Sequence, residues 1–161
     1  MGELFARDNG LTHYFYGGSE ATIRTLREKL PKEYPHLKIA GMVSPPYRPL
    51  TKEEDAAQVE AMNASGADII WIGLGAPKQE RYMFEHQGLT QGVMVGVGAG
   101  FDYYAGTIRR APMWMQKLSL EWLYRLMQDP KRLFKRYFVT NFKFLRLTLG
   151  RGKKSRGEKK S

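Results

Sequence analysis

The chain contains no cysteine. That excludes a disulfide scaffold, a thiolate metal site and a thiol nucleophile, and nothing in the composition selects an oxidising compartment. Histidine is nearly as scarce: His13, His36 and His86 stand far apart, with no metal-ligand spacing, so no metal site is expected. Long apolar runs are missing too. The longest stretch free of Asp, Glu, Lys and Arg runs from His86 to Phe101 and is broken by five glycines, too short and too glycine-rich for a membrane-spanning helix. Met1 to Gly10 carries charges of both signs and no apolar core of a secretory leader, which makes a cytosolic location the expectation.

The 161 residues, 42% hydrophobic and 12% aromatic, suffice for one globular domain with a real core but not for two large ones. The net charge of +10 hides a division. Residues 1–108 carry 10 Lys and Arg against 13 Asp and Glu, whereas residues 109–161 carry 16 against 3. So one-sided a last third points to an anionic partner there: phospholipid, a diphosphate or nucleic acid.

Along the first two thirds, strand and helix patterns alternate. Thr12–Tyr16 is a β-prone run, followed by Gly17-Gly18 and by Ser19 as the N-cap of a helix to about Leu30, where Pro31 and Pro35 are expected to stop it. Leu37–Val43 is the next apolar run, and the prolines of Ser44–Pro49 favour an extended path. Thr51-Lys52-Glu53-Glu54 is a capping box for a helix to about Ala64. Asp68–Leu74 reads as a strand buried on both faces, Pro77 opens a helix to about Gln87, and Gly92–Val97 is a further strand. The pattern predicts an α/β fold: a Rossmann-like, open, mainly parallel sheet with helices on both faces.

From Pro112 no strand pattern remains, and one helical stretch is expected up to Asp129-Pro130. Farther on, Phe134, Phe138, Phe142, Leu145 and Leu149 share one helical arc, while Arg132, Lys135, Arg136, Lys143 and Arg146 share the adjoining one. The division is therefore a Rossmann-like core over 1–111, a basic helical appendage over 112–149, and a polar tail over 150–161 expected to be disordered.

Ligands of open parallel sheets bind beyond the carboxyl ends of the strands. Three glycine-marked turns fall there: Gly17-Gly18, Gly73–Pro77 with Gly75, and Gly96–Gly100 with Gly98. Together they suit a phosphorylated ligand; singly, each is also ordinary turn geometry, and none is a P-loop. Behind Pro77, Glu80 is explained by the helix dipole alone. Gln79 has no such explanation, and its amide can serve sugar hydroxyls or a base edge. Asp102 can bind ribose or hold an arginine, and Arg109 and Arg110 can neutralise a diphosphate leaving group. Glu121 and Arg125, spaced i, i+4, read as an intrahelical pair that positions Arg125, with the neighbouring tryptophans and methionines read as core.

Tyr14–Gly18, Gly73–Glu80, Gly96–Asp102, Gly106, Arg110-Ala111-Pro112, Leu120–Leu126, Pro130, Arg132 and Arg136-Tyr137 together resemble the WecG/TagA/CpsF family of bacterial glycosyltransferases, in unbroken order from about Gly10 to Leu145. The resemblance implies inverting, metal-independent and cofactor-free transfer of an N-acetylmannosamine-type sugar from a UDP-sugar donor to undecaprenyl diphosphate-linked N-acetylglucosamine. The setting it implies is the inner face of the bacterial membrane, reached by the basic appendage, in teichoic acid or exopolysaccharide synthesis. Family members usually carry a further segment ahead of the position of Met1, with an Asp-Gly motif whose Asp is the proposed general base; no carboxylate here matches it. A second reading is therefore a catalytically inactive UDP-sugar-binding or assembly module. The charge alone also permits nucleic-acid binding, but no RNA-recognition or helix-turn-helix signature accompanies it, and no specific nucleic-acid partner is expected. The sequence leaves room for a homo-oligomer.

Overall fold

The computed structural model describes residues 1–7, 10–109, 111–128 and 130. The chain divides into two compact units, Met1–Arg109 and Arg110–Ser161.

In the first unit a five-residue helix α1 (Gly2–Ala6) precedes the alternation β1 (Thr12–Gly17), α2 (Glu20–Glu33), β2 (Lys38–Val43), α3 (Lys52–Ala64), β3 (Ile69–Gly73), α4 (Lys78–Glu85), β4 (Val93–Gly96) and α5 (Gly100–Ala105). The four strands form one open, wholly parallel sheet in the order β2-β1-β3-β4. This is a doubly wound arrangement, and its topological switch lies between β1 and β3.

The alternation of side chains along β1 makes two cores. Phe15 joins Trp71, Phe5 of α1, Ile23, Leu26 and Leu30 of α2, and Phe101 of α5 on one face. Tyr14 and Tyr16 join Ile70, Ile72 and Met62 of α3 on the other, with Tyr82 and Met83 of α4 packed against them. Helices thus cover both faces, and β1, buried on both, is the axis of the unit.

Local chemistry explains most boundaries. Ser19 caps α2, its hydroxyl accepting from the Thr22 N–H at 3.1 Å. Thr51 and Glu54 form the reciprocal capping box at the start of α3. Asp68 accepts from the Thr12 N–H at 2.7 Å, which ties the entry of β3 to that of β1. Pro31 does not stop α2: it lies inside the helix, which runs on to Glu33 and closes with the Tyr34 N–H on the Leu30 carbonyl at 2.8 Å. So near the end, proline removes one hydrogen bond, and burial of Leu26 and Leu30 outweighs that loss.

The second unit also departs from expectation. Two helices, α6 (Met113–Lys117) and α7 (Glu121–Gln128), stand where one continuous stretch was expected. Between them Ser119 adopts φ 58°, the Leu120 N–H reaches the Met115 carbonyl at 2.8 Å, and the Ser119 N–H reaches Gln116 at 3.0 Å. This is the Schellman end of a helix, with serine in the left-handed position that glycine usually takes. Of the tryptophans and methionines expected in the core, Met115 is buried, whereas Trp114 is 60% and Trp122 51% exposed, as are Met113 and Met127; Leu118 is 63% exposed. No helix among the described residues is long and apolar enough to cross a membrane. The basic arc Arg132, Lys135, Arg136, Lys143 and Arg146 and the tail over 150–161 lie outside the described residues, as do Arg110 and the side chain of Arg125.

Candidate functional site at the carboxyl edge of the sheet

The turns that follow all four strands are joined by hydrogen bonds across the carboxyl edge. The Ser44 hydroxyl, just after β2, donates to the Gly18 carbonyl at 2.9 Å. The Gly18 N–H, just after β1, donates to the Gly73 carbonyl at 3.0 Å. Gln79, in the first turn of α4, accepts the Gly98 N–H at 2.8 Å through Oε1, while its Nε2 donates to Glu80 at 3.1 Å. The amides of Gly18 and Gly98 are therefore held by the protein itself.

Gly17 has its own steric reason. At φ +125°, a Cβ there would stand 2.5 Å from the Gly73 backbone, so only glycine lets β1 and β3 end this close together. Gly75 differs: at φ +75°, an added Cβ would meet nothing within 4 Å, so this turn faces open space. Pro77, after a cis peptide with Ala76, stands at the N-cap of α4.

Asp102, in the first turn of α5, accepts from the Thr22 hydroxyl at 2.8 Å and from the Thr107 hydroxyl at 3.3 Å, binding the start of α2 to the end of α5. Arg109 is exposed at the end of the first unit. The sequence-derived residues thus fall into a Gly17–Gly18 group at the switch point, a Gly75–Glu80 group with Gly98, and Asp102 at the neighbouring turn.

Beside them opens a cleft of about 450 Å³, within the range of about 300 to 1,000 Å³ usual for small-molecule sites. Its wall is the Pro45–Leu50 loop after β2, its floor Tyr16 and Leu74 at the strand ends, and its far side Lys78, Arg81, Tyr82 and His86 of α4 and the turn after it. Tyr47 is 92% exposed on the rim, with the Lys78 ammonium 4.7 Å from its ring centre. Arg48 grips Glu54 at 2.7 and 2.6 Å, which holds the Glu54 carboxyl down at about 2. Burial pushes the Tyr16 phenol up to about 12, with the Asp55 charge adding to it, and burial likewise raises Tyr82. Both phenols therefore keep their protons at neutral pH. A larger hollow of 650 Å³ lies along α3 between Val59 and Leu89, lined mainly by helix side chains rather than by the strand ends.

Sequence reasoning missed this cleft. The three prolines around Tyr47 and the i, i+4 spacing of Tyr82 and His86 were the available signals, but neither shows that two distant segments meet across the end of β1. Among the described residues no group of three or more His, Asp and Glu is placed to hold a metal ion.

A model of the glycosyl transferase WecG/TagA/CpsF family matches residues 1–158. The chain belongs to this family. Relatives within it include the N-acetylglucosaminyldiphosphoundecaprenol N-acetyl-beta-D-mannosaminyltransferases of Bacillus subtilis and Bacillus spizizenii, each 32% identical over 120 residues. Each match covers 74% of this chain and 45% of the relative, so the chain spans less than half the length of these family members.

Proposed function

We propose that this chain binds a UDP-sugar at the carboxyl edge of its sheet and takes part in transferring a hexosamine-type sugar, N-acetylmannosamine-like, to a polyprenyl diphosphate-linked N-acetylglucosamine. The observation that carries the reading is the cleft at the β1/β3 switch point in a chain of a glycosyltransferase family. The names of the two Bacillus enzymes support the sugar and the lipid-linked acceptor.

In this reading Tyr47 and the prolines offer a flat apolar wall to the base. Lys78, Arg81 and the amino end of α4, with its open Gly75 turn, meet the diphosphate. Arg109 adds a guanidinium group for the departing UDP, so that fixed protein charges take the part a cation plays elsewhere. Gln79 positions the Gly98 turn, and Asp102 the start of α2.

The exposed Trp114, Leu118, Trp122 and Met127 of the second unit suit the interfacial layer of a bilayer, where amphipathic rings settle at headgroup depth. With the basic arc beyond them, they support a peripheral seat on the anionic inner face of the cell membrane.

Calorimetry with UDP and EDTA in the cell tests the site: saturable binding is expected, and no heat at millimolar UDP would refute it. A transfer assay with UDP-N-acetylmannosamine and a lipid-linked acceptor then separates an active enzyme from a binding module.

A further inference from the structure

β4 stands at one end of the sheet with its outer edge open. The Val93 N–H donates to the Asp68 carbonyl at 2.8 Å and the Val97 N–H to the Ile72 carbonyl at 2.9 Å, so these residues turn their backbone groups toward β3. By the alternation of a strand, the N–H and C=O of Met94 and Gly96 turn the other way, where no strand pairs with them among the described residues. Gly96 is exposed, and Val93 is 67% exposed. A hollow of about 590 Å³ beside the strand is lined by Leu11, Ile69, Val93 and Val95, so the apolar surface continues onto the sheet face.

The two edges of the sheet differ in kind. Charge, proline and irregular register are the usual devices that keep an edge strand from pairing with another chain. β2 has all three: an exposed Lys38 at its start, Pro45 and Pro46 just past its end, and a register shift against β1 between His13 and Tyr14. The Arg27 guanidinium also takes the Met42 carbonyl of β2 at 3.1 Å. β4 has none of these. It lies inside the His86–Phe101 stretch, which holds no Asp, Glu, Lys, Arg or Pro, and its register on β3 runs without a shift.

This open edge is complementary to itself. Laid antiparallel about a two-fold axis at Val95, Met94 comes opposite Gly96 of the second copy, and Val93 opposite its Val97. The Met94–Gly96 pairs are then the hydrogen-bonded ones, because these two residues carry the outward N–H and C=O. Val95 meets its own counterpart in the closer, non-bonded position, and the valines of both copies line one side of the joined sheet. On the other side each methionine faces a glycine that leaves it room. A slip of one residue would set outward groups against inward-turned ones, and a slip of two would set Met94 against Met94.

We propose that this chain pairs with a second copy of itself through β4, antiparallel and centred on Val95, so that two sheets become one. The pairing is independent of the nucleotide reading of the cleft.

The full chain has no cysteine, so single cysteines report the register directly. Val95→Cys sets two thiols across the axis at a Cα separation of about 4.5 Å, within reach of a disulfide, and mild oxidation should give a covalent dimer on a non-reducing gel. Val93→Cys should stay unlinked, because its two copies stand roughly 14 Å apart along the strands. Light scattering on the unaltered chain should give twice the 18.5 kDa of one copy. Val93→Lys changes an exposed position, should melt like the parent, and should raise the concentration of half-dissociation by about tenfold, since it sets a lysine against Val97 at both ends of the pair. Slow amide exchange at Met94 and Gly96 should become fast in the same variant. A single-copy mass up to millimolar concentration overturns the proposal, and protected Met94 and Gly96 amides in that monomer would mean that a different segment occupies the edge. A dimer that Val93→Lys leaves unchanged, or one that Val93→Cys links and Val95→Cys does not, is held by another surface or register and overturns it equally.

Discussion

Replacing Gln79 by alanine removes a side chain that is 9% exposed and whose Oε1 receives the Gly98 N–H at 2.8 Å. The end of β4 rests on the same amide, since a Cβ at Gly96 would lie 3.0 Å from Nε2. Truncation therefore leaves a partly buried N–H without its acceptor and a gap beside Gly96. An unsatisfied donor of this kind costs about 1 to 3 kcal/mol, and entry of water into the gap holds the loss near the lower figure. The expected fall in thermal midpoint is roughly 4 °C per kcal/mol. The Gly98 turn loses its anchor to α4, and a loss of about 1 kcal/mol of positioning predicts roughly fivefold weaker UDP binding by calorimetry. Gln79→Glu keeps an oxygen for Gly98 but replaces the donor to Glu80 by a second carboxylate, so it should recover little of the stability. Equal UDP affinity in wild type and Gln79→Ala would refute the link between this turn and the nucleotide, and an unchanged melting temperature would refute the bond itself.

Gly17→Ala drives a methyl group into the Gly73 backbone at a positive φ, and urea unfolding should show a loss of about 3 kcal/mol or more. His13, whose Nδ1 accepts from the Trp71 indole N–H at 3.1 Å, is held below its usual 6.5 by burial, with Asp68 acting weakly the other way. The unfolded chain then takes up the proton first, so this contribution to stability is complete above pH 6.5 and is lost as pH falls below it. His13→Gln should flatten that part of the acid limb in urea titrations, and an identical limb would contradict the assignment. Replacing Arg132, Lys135, Arg136, Lys143 and Arg146 together by glutamine should release the protein from anionic vesicles, because each basic residue near such a surface contributes about 1 kcal/mol; unchanged co-sedimentation would count against a membrane seat.

The sheet was readable because its signals are local. After Asp68, Ile69–Leu74 is an unbroken apolar run, and Ser19 and Thr51 announce their helices by side-chain caps that the structure contains. Helix α1 escaped notice because five residues without a side-chain cap carry no period, and its one buried residue, Phe5, declares itself only against Trp71 and His13. The Ser119 break escaped because a serine did the work of a glycine. At the site, the glycine turns were legible as turns, but which of their amides the protein itself holds depends on Ser44 and Gln79, partners 26 and 19 residues away. The cleft needed more still: Asp55 and His86, 31 residues apart, meet only because the crossovers bring α3 and α4 to the same face.

The series of bonds from Ser44 through Gly18 to Gly73 has a practical meaning for anyone exchanging loops between related enzymes. A graft that lengthens one of these connections by a residue shifts the donor or acceptor on which the next one depends. Such segments are best transplanted as a set, whereas the wall carrying Tyr47 can be varied ahead of Leu50 without touching that chain of contacts.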